Sequence, residues 1–255
     1  MTVYSEFEIN QEAVEFVTKI SGPIGICSVA GMYRTGKSYL LNRMLLDRSN
    51  GFGVGPTINP CTKGLWIWNE VVPGTTPEGE PISVLVVDTE GLGAFDETQN
   101  HDVRIFTLAI LLSSYFIYNS MGSIDETSLN QLSLVVNLTK HIQLSASGCR
   151  SPGEIDPEEY SKIFPSFMWV VRDFALKLSD ENDATITSKE YLERALLEQK
   201  GFSDSVEQKN RIRRLLKTFF TERDCCTMIR PVNNEAELQN LSQKNMTELR
   251  SEFQE

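Results

Sequence analysis

The chain has 255 residues, 40% hydrophobic and 23% charged, so it can bury a large core and lies far from disordered or collagen-like compositions. With 35 acidic against 24 basic side chains, the net charge of -11 argues against a nucleic-acid binder held by phosphate contacts. Its five cysteines (Cys27, Cys61, Cys149, Cys225, Cys226) lack C-x-x-C spacing, which fits a reducing, cytoplasmic setting, and no secretory start or long apolar run predicts direct membrane insertion.

In chain order, a first helix is expected over Asn10 to Ile20, then a buried strand from Ile24 to Val29 and a helix from Lys37 to Leu46. The runs Leu65 to Trp68 and Val84 to Val87 read as strands. The Pro/Gly-rich stretch Val71 to Glu80 between them is too short for a crossover helix, so they should pair antiparallel. Leu108 to Leu112, an unbroken apolar run, reads as another core strand, followed by a helix over Ser128 to Ile142 and a loop over Ser145 to Asp156. Beyond these come a strand at Phe167 to Val171, a loop at Leu178 to Thr187, and helices at Ser188 to Glu198 and Val206 to Phe220. A weaker strand at Cys226 to Ile229 and a helix over Asn234 to Phe253 complete the chain. That last helix has no stop signal, as in a piece of a longer protein. Strands alternating with helices predict one α/β domain over 1–255, a three-layer P-loop sandwich whose mostly parallel sheet carries an added antiparallel strand.

The chemistry concentrates in short motifs. After the first strand, Gly31 to Ser38 spells G-x-x-x-x-G-K-S in the required strand, loop, helix setting. Its glycines let backbone N–H groups wrap phosphates, Lys37 reaches the β and γ phosphates, and Ser38 offers a hydroxyl to Mg²⁺. Asp88-Thr-Glu-Gly91 puts an acid at the end of a buried strand, where Asp88 serves Mg²⁺ and the Gly91 N–H meets the γ phosphate. Thr62, between these two motifs, is placed for a switch threonine. No N-K-x-D occurs. Instead Arg172-Asp173 ends the Phe167 strand, and a carboxylate there can accept two hydrogen bonds from guanine N1–H and its exocyclic amine.

Gly31 to Tyr39, Thr62 to Trp68, Asp88 to Gly93, Leu111 to Asn119 and Val171 to Phe174 together resemble the GTPase domain of guanylate-binding proteins, within the dynamin-related large GTPases. Atlastins are more distant cousins. The wording of Gly122 to Leu132 and Arg230 to Gln239 is closer to plant or protist members. The resemblance implies a GTPase that binds GTP and GDP, uses Mg²⁺ and dimerises with a second copy when GTP is bound, dimerisation then driving hydrolysis. On the matching positions, Gly31, Tyr33, Arg34, Thr35, Gly36, Lys37, Ser38, Tyr39, Asp88, Gly91, Arg172 and Asp173 bind nucleotide, and Ser38, Thr62 and Asp88 hold the metal. Arg34, Lys37, Thr62 and Glu90 carry catalysis, Arg34 as an arginine finger swung onto the phosphates. The segment from Phe174 to about Ser205 corresponds to a guanine cap, and the family's long helical region is not expected here.

One departure stands out. Animal members carry a serine two residues before the switch threonine that helps position the attacking water, and this chain has Pro60, which has no hydroxyl. Thr62 and Glu90 are the remaining candidates, and the further step from GDP to GMP seen in some relatives is put in question. A rival reading is a nucleotide-gated assembly scaffold with slow hydrolysis, and a third is an ATP-using P-loop protein. Tyr33, Trp66, Trp68 and Trp169 read as core or rim. His101 and His141 fall on expected surface segments, and Arg211-Ile-Arg-Arg214 reads as a solvated helix face.

Overall fold

The computed structural model describes residues 7–54, 62–76, 78–93, 99–133, 136 and 164–254. The expected loop at Ser145 to Asp156, most of the second half of the helix expected over Ser128 to Ile142, and Pro60, Cys61, His141 and Cys149 lie outside the described residues.

The sheet has seven strands: β1 (Ile24–Gly31), β2 (Leu65–Ile67), β3 (Val72–Thr75), β4 (Pro81–Thr89), β5 (Tyr115–Met121), β6 (Ser166–Arg172) and β7 (Arg223–Thr227). Their order is β2-β4-β1-β5-β6-β7, with β3 also paired to β4. The pairs among β4, β1, β5, β6 and β7 are parallel, while β2 and β3 both run antiparallel to β4. The expected mostly parallel three-layer sandwich is therefore present. Its antiparallel part comprises two short strands, because the Pro/Gly-rich stretch after Trp68 itself contributes β3.

Alternation along the central strands explains why both faces are covered. In β5, Phe116 and Tyr118 enter one apolar cluster while Ile117, between them, enters the other. In β6, Trp169 and Val171 join the first cluster and Val170 the second. Successive side chains of a strand point to opposite faces, so strands apolar at every position need helices on both sides. Helix α1 (Gln11–Thr18) starts at Asn10, whose side chain accepts the Glu12 N–H, and α2 (Lys37–Met44) leaves the loop after β1. Helix α3 (Gln99–Leu112) packs on the opposite face through Phe106, Ala109 and Ile110.

Three sequence expectations are corrected. Leu108 to Leu112 is the last part of α3, and the strand begins after Ser113-Ser114, at Tyr115. A short apolar run has no periodicity that separates a buried strand from a buried helix, whereas the aromatic and β-branched Tyr115-Phe-Ile-Tyr118 is the better strand sequence. The long terminal helix is instead Glu235–Leu238, two 3-10 turns and Ser251–Gln254. Asn234 caps the first of these pieces, and Asn245 forms a capping box with Glu248 at the second 3-10 turn. Side chains that bond nearby backbone favour new starts over helix interiors. The last strand also lies slightly earlier than expected, at Arg223–Thr227. Among the described residues, no helix is long and apolar enough to cross a membrane.

Candidate functional site

The parallel strands β1 and β4 end side by side, with Val29 opposite Asp88, and this register fixes the site. The loop leaving β1 must fold back tightly. A Cβ on Gly31 would lie 2.0 Å from the carbonyl oxygen of Asn119, so only glycine fits there. Asn119, at the end of β5, donates through Nδ2 to both the carbonyl and the hydroxyl of Thr35, at 3.0 and 2.8 Å. Thr35 in turn donates to the Met32 carbonyl, so its side chain braces the loop from beneath. Gly36 has φ 78°, the left-handed conformation that lets α2 begin directly after the loop.

Lys37 is 7% exposed and donates to the Met32 carbonyl at 3.2 Å. Burial pulls its ammonium down to about 8, against the opposing pull of Asp88 and Glu90. Asp88 is fully buried, and burial raises its carboxyl above the usual carboxylate range despite the hydrogen bonds it accepts. Ser38 Oγ and Thr62 Oγ1 both donate to Asp88 Oδ2, at 2.6 and 2.9 Å, while Oδ1 has no hydrogen-bond partner among the described residues. Two hydroxyls converging on one carboxylate with a spare oxygen make an all-oxygen donor set that fits Mg²⁺, an ion that takes few protein ligands and leaves room for phosphate and water. Among the described residues there is no cluster of three or more His, Cys, Asp or Glu side chains, and such a site does not need one.

A cleft opens above this loop. It is lined by Tyr33, Arg34, Gly36, Lys37, Ser38 and Tyr39 from the loop and α2, by Thr62, Thr89 and Gly91, and by Arg172 at the end of β6. Arg172 is 5% exposed, and its Nε and Nη1 have no partner among the described residues. Burial lowers its pKa, opposed most by Asp173. A Cβ on Gly36 would lie 3.4 Å from Nη1, an ordinary contact distance, so this guanidinium packs against the phosphate loop, where its buried donors can meet an anion. Arg34 is exposed, has φ 65° and lies over the Tyr33 ring at 5.3 Å.

Asp173 is not among the lining residues. It follows Arg172 at φ 54°, and Arg230 Nε lies 3.5 Å from its Oδ2. Gly31, Thr35, Asp88 and Glu90 likewise lie around the cleft without lining it. The remaining wall comes from Leu238, Gln239, Leu241 and Ser242, with Gly53 and Val54 beyond α2. This wall is tied to α2 by Arg43, whose Nη2 donates to the carbonyls of Leu241 and Lys244. Neither Arg43 nor the wall residues Gly53, Val54, Leu241 and Ser242 fell in a motif, whereas Asn119 ends the stretch Leu111 to Asn119, and Leu238 and Gln239 lie within Arg230 to Gln239.

Two surface expectations need correction. His101 stands against the site, with Nε2 3.2 Å from Glu90 Oε2, because α3 begins earlier in the sequence and turns this residue inward. Arg213 is buried and paired with Glu126, so only part of Arg211 to Arg214 is a solvated face. Trp66 is 57% exposed, with its indole N–H on the Lys63 carbonyl, whereas Trp169 is buried.

A phosphate loop at the carboxyl ends of parallel strands, with Ser38, Thr62 and Asp88 gathered beneath it, defines a P-loop nucleotide-binding protein. Residues 4–255 match the family described as guanylate-binding protein, N-terminal domain, and the chain belongs to that family. It is 39% identical over 248 residues to human (Homo sapiens) guanylate-binding protein 7, an alignment covering 96% of this chain and 38% of that protein. Mouse (Mus musculus) guanylate-binding protein 6 is 39% identical over 98% of this chain and 40% of its own length. Mouse guanylate-binding protein 2 is 38% identical over 98% and 41%. The chain thus spans about two fifths of the length of these relatives.

Proposed function

We propose that this chain binds GTP with Mg²⁺ and hydrolyses it to GDP and phosphate in a nucleotide-dependent dimer of two copies, in a cytoplasmic setting. The observation that carries the reading is the convergence of the Ser38 and Thr62 hydroxyls on Asp88, beside buried Lys37 and the buried donors of Arg172 that have no partner among the described residues. Membership of the guanylate-binding protein family supports the choice of guanine.

Ser38, Thr62 and Asp88 would hold Mg²⁺, which supplies charge neutralisation at the phosphate oxygens. Lys37 and the backbone N–H groups of 31–36 bind the β and γ phosphates, and the Gly91 N–H meets the γ phosphate. Arg172 adds charge beside the loop. Asp173, kept in place by Arg230, reads the base through its two acceptors. The segment 174–205 acts beside the base and in contacts with the second copy. In the reaction, water oxygen bonds to the γ phosphorus as its bond to the bridging oxygen breaks; GDP leaves with the electron pair, and the water's proton passes to the released phosphate. Glu90 and Thr62 orient that water. Arg34, exposed in the free chain, turns onto the phosphates when two copies meet and stabilises the charge that develops on the leaving oxygen.

The test is binding and turnover with competing nucleotides. Fluorescent GTP analogue should be displaced by GTP and GDP but not by ATP, and phosphate release should require Mg²⁺. Equal displacement by ATP would overturn the guanine assignment, and turnover unaffected by a chelator would overturn the metal.

A further inference from the structure

Glu90 is 3% exposed, and a single carboxylate oxygen, Oε2, takes both of its hydrogen bonds. The Gly64 N–H donates to it at 2.9 Å, and His101 Nε2 lies 3.2 Å away. A carboxylate oxygen accepts, so the second contact is a hydrogen bond in the tautomer that carries its proton on Nε2. The other oxygen, Oε1, is buried and has no hydrogen-bond partner among the described residues. A buried acceptor left open beside a ligand cleft marks a place for water or ligand. The neighbouring residue sets the location: a Cβ on Gly91 would lie 3.0 Å from Lys37 Nζ, so Glu90 sits next to the lysine that meets the terminal phosphates.

His101 is itself firmly held. Its ring packs against Phe7 at 5.8 Å between centroids. Beside it on α3, Asp102 accepts the Gly93 N–H at 2.7 Å, so consecutive residues of one helical turn grip both ends of 90–93. Through Gly64, the same carboxylate is joined to the segment that carries Thr62.

We infer that His101 is a positioning residue for hydrolysis: with the Gly64 N–H it occupies Oε2 of Glu90 and so leaves Oε1 as the acceptor for the attacking water. The inference rests on the GTPase reading and accounts for how water is oriented in a chain whose residue 60 is a proline. A carboxylate gripped on one oxygen cannot rotate freely, and a water bound to the other is held along one line of approach.

The experiment measures single-turnover GTP hydrolysis at saturating nucleotide and one high protein concentration, with the affinity for a non-hydrolysable GTP analogue measured in parallel. The variants are His101→Leu, His101→Gln, Glu90→Gln and the Glu90→Gln/His101→Leu double substitution. His101→Leu should slow the chemical step about tenfold or more while the affinity stays within about twofold, the pattern of a lost transition-state interaction. His101→Gln, whose amide N–H can replace Nε2–H, should recover most of the rate, and His101→Leu should cost little more once Glu90 is already glutamine. A wild-type rate in His101→Leu, equal losses in the Leu and Gln variants, or losses that multiply in the double variant would overturn the assignment. If His101→Leu does not fold, His101→Gln decides: a rate near wild type supports the role, and one as low as Glu90→Gln contradicts it. Absence of GTP hydrolysis in the wild-type protein would overturn both this inference and the reading beneath it.

Discussion

In the proposed site Lys37 and Asp173 divide the work of recognition, and each gives a distinct prediction. Lys37 is the fixed charge at the phosphate loop, and a charge-assisted contact of this kind contributes roughly 1.5 to 3 kcal/mol. Lys37→Ala should therefore weaken GTP about tenfold or more, as read by titration with a fluorescent analogue, and unchanged affinity would remove the loop from the binding site. Asp173→Asn introduces a donor where guanine also donates, while xanthine offers an acceptor, so preference should move from GTP toward XTP. Asparagine tolerates the left-handed φ of 54° found there, which keeps the backbone out of the comparison. Retained GTP preference in a competition assay would mean that the base is read elsewhere. These residues were legible because a motif binds type to spacing: Lys37, Ser38 and Asp88 fall where the motifs put them, and Thr62, read from the sequence only as a switch threonine, donates to Asp88. His101 was not legible, since its contact with Glu90 depends on where α3 starts, and nothing local in the sequence marks that point.

At the scale of elements, the ion pair between half-buried Glu126, on the helical residues 126–133, and buried Arg213, on the helix Asp204–Phe219, is the clearest place to test packing. Arg213 is 5% exposed and donates to Glu126 as well as to the carbonyls of Ala195 and Lys209. Removing the carboxylate charge leaves a buried guanidinium short of its partner, so Glu126→Gln should lose about 1–3 kcal/mol at neutral pH in denaturant unfolding. The hydrogen bond from Arg213 holds the Glu126 carboxyl below its ordinary 4.5. A depressed folded-state pKa means stabilisation that is complete above about 4.5 and lost as pH falls through the lowered value. The gap between wild type and Glu126→Gln should accordingly close in acid. A gap that is constant with pH would show that the pair contributes only shape. The same scale holds the errors of sequence reading. Leu108 to Leu112 is apolar at every position and gives no period to choose by, and asparagines at 234, 240 and 245 interrupt a terminal stretch whose composition otherwise suits a helix. The sheet was easier: β1, β4 and β6 are β-branched, apolar and bounded by turns, and their parallel order follows from the helices between them.

For the whole molecule, the proposed mechanism joins an exposed arginine to an assembly. Arg34 lies on the surface of the loop, over Tyr33, while the groups beneath it are buried and already arranged. An arginine brought onto the phosphates contributes about a thousandfold or more in rate, equivalent to roughly 4 kcal/mol of barrier. In the proposed mechanism closure of Arg34 depends on a second copy, so catalysis and assembly should be inseparable. The measurement that tests this most directly is specific GTPase activity against protein concentration for wild type and Arg34→Ala, with GTP affinity measured on both. Wild-type specific activity should rise with concentration toward a plateau, and Arg34→Ala should bind GTP nearly normally yet turn over slowly at every concentration. A flat wild-type curve would remove the dimer from the mechanism, and equal plateaus for the two proteins would show that Arg34 is not the group that completes the site.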